Sequence, residues 1–118
     1  MTTQQVADRL YELCKAGKYP EAHQELYSAD ITSTESTPTG ERQTIKGTEA
    51  LNQKSQQFQN MVEEMHGGYC NEPKTFGNYI FMEMGLEATL KGMGRINMVE
   101  MCRYEVKDGK IIAEEFYY

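Results

Sequence analysis

The C-terminal part of the chain alternates apolar and polar residues between glycine-containing turns, and this pattern constrains the fold more than any other feature. Residues 95–106 read RINMVEMCRYEV, and a second alternating segment follows the turn KDG and runs to the last residue. The stretch KGMG separates the first segment from another strand-like segment, residues 79–90. Strands joined by short turns pair antiparallel, so this region predicts a β-meander with one buried face.

One carboxylate falls on the apolar side of this pattern. Period-two alternation places Glu100 on the same side as Ile96, Met98, Cys102 and Tyr104. A buried carboxylate is destabilising unless it is paired or faces a pocket, so Glu100 is the first candidate for a functional residue.

The same parity assigns sides to the last strand. Phe116, Tyr118 and Glu114 are expected to face the pocket, whereas Glu115 and Tyr117 are expected on the outer face.

The N-terminal half predicts three helices and one strand. A first helix, capped by Thr3, has apolar residues at helical spacing and ends at Gly17. A second helix has Pro20 in its first turn and runs out near residues 29–30. Residues 31–35 are predicted to form a strand, residues 36–46 a loop that contains Pro38, and residues 48–64 a long helix.

A further segment precedes the meander. Residues 69–76 are weakly strand-like and contain Pro73, which predicts an edge strand. The predicted element order is therefore α-α-β-α-β-β-β-β.

Composition excludes several classes of function. The chain has 118 residues, which predicts a single domain over residues 1–118, and its net charge of −6 without a basic run argues against a nucleic-acid partner. No stretch approaches the roughly 20 apolar residues of a membrane span, and the N-terminus lacks the features of a signal peptide. Three cysteines without metal-ligand spacing predict reduced thiols, no metal site and a cytoplasmic location.

Four local texts, in this order, carry a family resemblance: LCKAGKYPEAHQELYSADI, IKGTEAL, TLKGMGRINMVEMCRYEV and DGKIIAEEFYY. With the element order, they resemble the SnoaL-like and ketosteroid-isomerase-like branch of the nuclear transport factor 2-like superfamily over nearly the whole chain. The resemblance implies an α+β, cone-shaped, cystatin-like fold in which three N-terminal helices pack on a curved antiparallel sheet around a pocket. This superfamily includes isomerases, polyketide cyclases, dehydratases, hydrolases and proteins without catalysis, so the fold does not fix the chemistry.

The resemblance also suggests site residues. Ketosteroid isomerases use a tyrosine on the first helix and a protonated acid on the penultimate strand as an oxyanion hole, with an aspartate before a proline as the base. Glu100 matches the position of the acid. Leu10 matches the tyrosine, with Tyr11 one residue away, and Thr37 matches the base, with Glu35 two residues earlier on the same side of a strand.

Other candidates are less specific. His66 is expected to close the long helix, where it would cap the helix or serve as an alternative base. The predicted pocket wall is mostly apolar and consists of Leu10, Tyr11, Met98, Cys102, Phe116 and Tyr118.

Two functional hypotheses remain open from the sequence. In one, an apolar pocket binds a small hydrophobic molecule without turnover. In the other, the chain is a cofactor-independent isomerase, cyclase or dehydratase in which Glu100 is the acid or hydrogen-bond donor and Glu35 or His66 the base. No cofactor is predicted, since phosphate-loop and dinucleotide motifs are missing from the sequence. Apolar residues such as Val99 and Met101 on the outer sheet face predict a homodimer through that face.

Overall fold

A computed structural model describes residues 1–37 and 39–118. Its helices are α1 (Thr3–Lys15), α2 (Tyr19–Leu26) and α3 (Thr48–Met61). Its strands are β1 (Tyr27–Ser36), β2 (Arg42–Lys46), β3 (Val62–Cys70), β4 (Lys74–Phe76), β5 (Tyr79–Leu90), β6 (Gly94–Lys107) and β7 (Lys110–Tyr117).

The helix α1 has a complete N-terminal cap. The cap residue is Thr2 rather than the predicted Thr3, and its hydroxyl accepts from the Gln5 backbone while the Gln5 side chain accepts from the Thr2 backbone. This reciprocal arrangement satisfies two backbone N–H groups that a bare helix end would leave unpaired. Gly17, with φ of 74°, then turns the chain toward α2, as the sequence predicted.

The strands form one curved, open sheet in the order β2-β1-β7-β6-β5-β3, with β4 also paired to β5. The pair β1–β7 is parallel and the other pairs are antiparallel, so the sheet is mixed. The predicted α+β fold with three helices on a curved sheet is confirmed. The parallel pairing is the feature that positions the site, because it brings the inward side chains of β1 beside those of β7.

Two N-terminal boundaries differ from the sequence prediction. The helix α2 ends at Leu26, and Tyr27 already begins β1, several residues before the predicted helix end. The loop predicted over residues 36–46 contains the strand β2, which pairs antiparallel with β1 in the register Thr34↔Thr44. Pairing of an otherwise open sheet edge compensates for the low hydrophobicity of this segment. Pro38 lies outside the described residues.

The long helix is shorter than predicted. It ends at Met61, and the next residues form β3, which pairs antiparallel with β5. Glu63, Glu64 and Met65 favour a helix intrinsically, but pairing with β5 overrides this weak local preference. His66 therefore lies in a strand and not at a helix end.

The core lies between the helices α1 and α2 and the inner face of the sheet. On β5 the even-numbered residues Ile80 and Met82 are buried, which settles the side that the sequence left ambiguous. The helix α3 buries Leu51 and leaves Met61 39% exposed, so this helix packs on the sheet along a short contact. A space consequently remains between α3 and the strands β1 and β2. Among the described residues, no helix has the length and apolar character needed to cross a membrane.

Candidate functional site

Glu100 lies on β6 and points to the inner face of the sheet, as the alternation predicts. Its side chain is partly buried, whereas the flanking Val99 and Met101 are 51% and 41% exposed on the outer face. The Cys102 thiol donates a long hydrogen bond to Glu100 Oε1 at 3.9 Å. Burial, together with the negative charge of Glu35, raises the pKa of Glu100 to about 7, and the positive charge of Lys54 opposes this shift.

Glu35 is held at both carboxylate oxygens. Its Oε1 lies 2.8 Å from Lys54 Nζ, and its Oε2 accepts a hydrogen bond of 2.9 Å from the Tyr118 hydroxyl. Three elements meet here, because Glu35 belongs to β1, Lys54 to α3 and Tyr118 to the end of the chain beside β7. Lys54 Nζ also lies 5.4 Å from the centre of the Phe116 ring.

A second carboxyl group lies deeper in the same region. Glu114 on β7 is 4% exposed, and its Oε2 accepts a hydrogen bond of 2.5 Å from the hydroxyl of the buried Tyr27. Burial raises the pKa of Glu114, and the hydrogen bond from Tyr27 works in the opposite direction. The neighbouring residue across the parallel pair is Ser33, whose buried hydroxyl group, like that of Tyr27, opposes the rise in the pKa of Glu114.

A cavity of about 330 Å³ opens between α3 and the hairpin of β1 and β2, and we refer to it as the α3 cavity. Its lining residues are Ser33, Glu35, Gln43, Ile45, Ala50, Gln53, Lys54 and Gln57. Six of these eight residues are polar, so the wall is more polar than the sequence indicated. The charges of Glu35 and Lys54, which line this cavity, also act on the pKa of Glu100.

A second cavity, of about 460 Å³, lies where β7 ends beside β6, and we refer to it as the β6 cavity. It is lined by Ser36, Thr37, Asn97, Met98, Val99 and Tyr118. The hydrogen bond between Tyr118 and Glu35 joins a residue of this cavity to a residue of the α3 cavity. Glu100 itself is not among the residues that line either cavity, whereas its sequence neighbour Val99 lines the β6 cavity.

The predicted pocket residues are only partly brought together. Leu10 and Cys102 are 1% and 0% exposed, and they belong to the packed core rather than to either of the two cavities. Tyr11 packs against the same core, with Lys15 Nζ at 4.8 Å from its ring centre. Phe116 is partly buried beside Lys54. Met98 and Tyr118 do line a cavity.

The predicted position of His66 is wrong. It lies on β3, and its Nε2 is 2.7 Å from the hydroxyl of Thr89. Thr89 alternates with the buried Ala88 and Leu90, so its side chain projects from the other face of the sheet. The structure thus separates His66 from Glu100, and Glu35 remains as the candidate base.

Sequence reasoning missed Lys54, which was hidden in a run of polar helix residues. A signal was nevertheless present, because Lys54 stands four residues after Ala50 and four before Phe58, on the apolar face of the predicted helix. The sequence pattern around Tyr27 and Ser33 did not mark them as site residues in this way. Among the described residues, no group of three His, Cys, Asp or Glu side chains is placed to hold a metal ion.

Comparison with known proteins identifies the family. The family model for the SnoaL-like domain matches residues 1–118, and the chain belongs to this family. A Mesorhizobium loti protein described as a candidate SnoaL-like polyketide cyclase is 36% identical, with complete coverage of both chains (100% each) and a TM-score of 0.90. No curated protein matches the chain.

More distant structures share the fold alone. A nuclear transport factor 2-like protein of unknown function from Burkholderia pseudomallei is 16% identical, with a TM-score of 0.76 over 98% of this chain and 89% of that chain. A Catenulispora acidiphila protein with a ketosteroid isomerase-like fold, solved in complex with trimethylamine, is 18% identical, with a TM-score of 0.72 over 95% and 84% of the two chains.

Proposed function

We propose that this SnoaL-like protein catalyses proton transfer next to the carbonyl group of a small molecule, without a cofactor. The observation that carries the proposal is the position of Glu100. Its pKa of about 7 makes it both protonated and ionised in comparable amounts near neutral pH, which suits a general acid or base. An inward carboxyl group with this property, whose pKa responds to a second carboxyl group that lines a cavity, is a frequent feature of functional sites.

The two carboxyl groups take complementary roles. Protonated Glu100 donates a hydrogen bond to the substrate carbonyl oxygen, and the Glu35 carboxylate accepts a proton from the adjacent carbon, which gives an enolate whose oxygen accepts the hydrogen bond from Glu100. Return of that proton from Glu35 to a different carbon completes an isomerisation. Attack of the enolate carbon on a second carbonyl completes a cyclisation when the resulting alkoxide takes the proton back from Glu35.

Lys54 and Tyr118 fix the orientation of the proposed base. Each bonds a different oxygen of Glu35. Each carboxylate oxygen has two acceptor positions, so Glu35 retains capacity for a substrate proton. The Mesorhizobium loti relative supports a catalytic role, because it is described as a candidate cyclase.

Binding of a small hydrophobic molecule without turnover is the second candidate. It is favoured by the residues at the matching isomerase positions, since Leu10 cannot donate a hydrogen bond and Thr37 is not a base. In that case the ion pair between Glu35 and Lys54 contributes only to the stability of the fold.

Deuterium exchange distinguishes the two candidates. Simple ketones, such as hydroxyacetone and cyclohexanone, are incubated with the protein in heavy water, and loss of the α-proton signals is followed by NMR. We expect exchange above the buffer rate, and we expect the variants Glu100→Gln and Glu35→Gln to lower it by about 10²-fold or more.

The variant Glu105→Gln is the matched control, because it removes a carboxylate from the same strand on the outer face. Saturable binding of a ketone with exchange no faster than in buffer would support the non-catalytic candidate.

A further inference from the structure

We infer that the ligand of the α3 cavity is a small, uncharged, hydroxylated compound rather than the hydrophobic molecule that the sequence predicted. That the ligand carries a carbonyl group rests on the proposed function. Its size, its lack of charge and its hydroxyl groups are inferred from the α3 cavity itself.

The volume of the α3 cavity limits the size of the ligand. About 330 Å³ is at the lower end of the range for small-molecule sites, which is roughly 300–1,000 Å³. Since a water-sized group occupies about 30 Å³ in a liquid, the cavity has room for on the order of ten non-hydrogen atoms. A fused four-ring molecule is therefore too large to be enclosed in this cavity.

The charges in the cavity compensate each other. Lys54 Nζ and Glu35 Oε1 form an ion pair at 2.8 Å, and these are the charged residues that line the space. The carboxyl group of Glu114, behind the wall, has a pKa raised by burial and bonds to Tyr27. A charged ligand would lose its hydration without finding an unpaired opposite charge, so an uncharged ligand fits best.

The uncharged polar groups that line the α3 cavity can form hydrogen bonds with a ligand. Ser33 is 2% exposed and lines the cavity, where its hydroxyl group lies next to the carboxyl group of Glu114 on the paired strand. Gln43, Gln53 and Gln57 are exposed residues along the cavity and add three amide groups, each with donors and an acceptor. A ligand with several hydroxyl groups can satisfy these positions. An apolar ligand would displace water and leave them unpaired, which weakens binding about tenfold or more for each group that becomes buried.

The test compares matched probes by NMR titration of the backbone amides. The compound 1,3-dihydroxyacetone has the same number of heavy atoms as pentan-3-one and differs in carrying two hydroxyl groups; pyruvate provides the anionic comparison. We expect the dissociation constant of dihydroxyacetone to be at least tenfold lower than that of the other two probes. The largest amide shifts should occur around Ser33 and Gln53.

Two variants on α3 show whether the polar wall is responsible. Gln53→Leu should weaken dihydroxyacetone binding severalfold and leave or improve that of pentan-3-one. Gln56→Leu is the control, because Gln56 lies on the same helix outside the cavity lining and bonds to Asn60. Ser33→Ala should likewise weaken dihydroxyacetone binding.

Several outcomes would overturn the inference. These are equal or tighter binding of pentan-3-one or pyruvate, shifts centred on Met98 and Val99 in the β6 cavity, and no saturable binding of dihydroxyacetone. The proposed function is tested separately by α-proton exchange. Dihydroxyacetone that binds without exchange would contradict the proposed catalysis alone, and pentan-3-one that binds tightly and exchanges would contradict this inference alone.

Discussion

Replacement of Glu100 by Gln should change how stability depends on pH. Burial and the negative charge of Glu35 raise the pKa of Glu100 from 4.5 to about 7 in the folded protein. Between these two values the folded state holds a proton that the unfolded state has released. The contribution of Glu100 to stability is therefore fully present below pH 4.5 and is lost as pH rises through about 7.

The magnitude follows from the separation of the two pKa values. Each unit of difference between the folded and the unfolded pKa corresponds to about 1.4 kcal/mol. The free energy of unfolding of the wild type should therefore fall by up to about 3 kcal/mol through this one group as the pH rises. Glutamine does not ionise and has nearly the same volume. We therefore expect Glu100→Gln to be close to wild type in stability near pH 5 and more stable by up to about 3 kcal/mol above pH 8.

Urea unfolding at a series of pH values measures this difference. The buried Glu114 also has a raised pKa and is present in both proteins, but its charge helps to raise the pKa of Glu100, so its contribution cancels only in part. The variant Glu105→Gln controls for the loss of one negative charge from the same strand. A difference between wild type and Glu100→Gln that stays constant with pH, or that falls as pH rises, would refute the reasoning.

Three further predictions concern other parts of the chain. Tyr27→Phe leaves the buried Glu114 without its hydrogen-bond donor and should destabilise the protein by about 1–3 kcal/mol in urea unfolding; an unchanged midpoint would show that the bond contributes nothing. Interaction with Cys14 lowers the pKa of Cys70 to about 7, so alkylation of Cys70 should have its midpoint there and shift upward in Cys14→Ala, whereas a wild-type midpoint near 8.5 would contradict this. We also propose a homodimer through the outer sheet face, so sedimentation should show a dimer that Val99→Lys converts to a monomer, and monomeric wild type would exclude it.

The sequence was most informative where structure is local. The strands β5, β6 and β7 are joined by short turns, so their alternation and their pairing can be read from neighbouring residues. The strands β2 and β3 were missed because their conformation depends on partners elsewhere in the chain. The segment from Val62 to Cys70 contains good helix formers, and its pairing with β5 decides the outcome.

The same distinction applies to the site. Parity along a strand was enough to place Glu100 and Glu114 on the inner face, because the side chains of a strand have a fixed period. The polar character of the α3 cavity was not predictable in this way. It depends on how α3 is rotated over β1, and this rotation brings Lys54 to Glu35. Leu10 and Cys102 were assigned to a pocket wall because sequence pattern does not distinguish a residue in packed core from one beside an open space.

The ion pair between Glu35 and Lys54 should control the protonation of Glu100. Glu35 raises the pKa of Glu100, and Lys54 lowers it. Glu35→Gln removes the nearby negative charge and also frees Lys54 from its partner, and both effects should lower the pKa of Glu100 toward its ordinary value. Lys54→Met removes the positive charge and leaves Glu35 unpaired, so the pKa of Glu100 should rise. Carbon-detected NMR titration of the Glu100 carboxyl group in the two variants should therefore give shifts of opposite sign. Shifts of the same sign would mean that these three side chains do not form one electrostatic unit, and the proposed division between acid and base would fail with them.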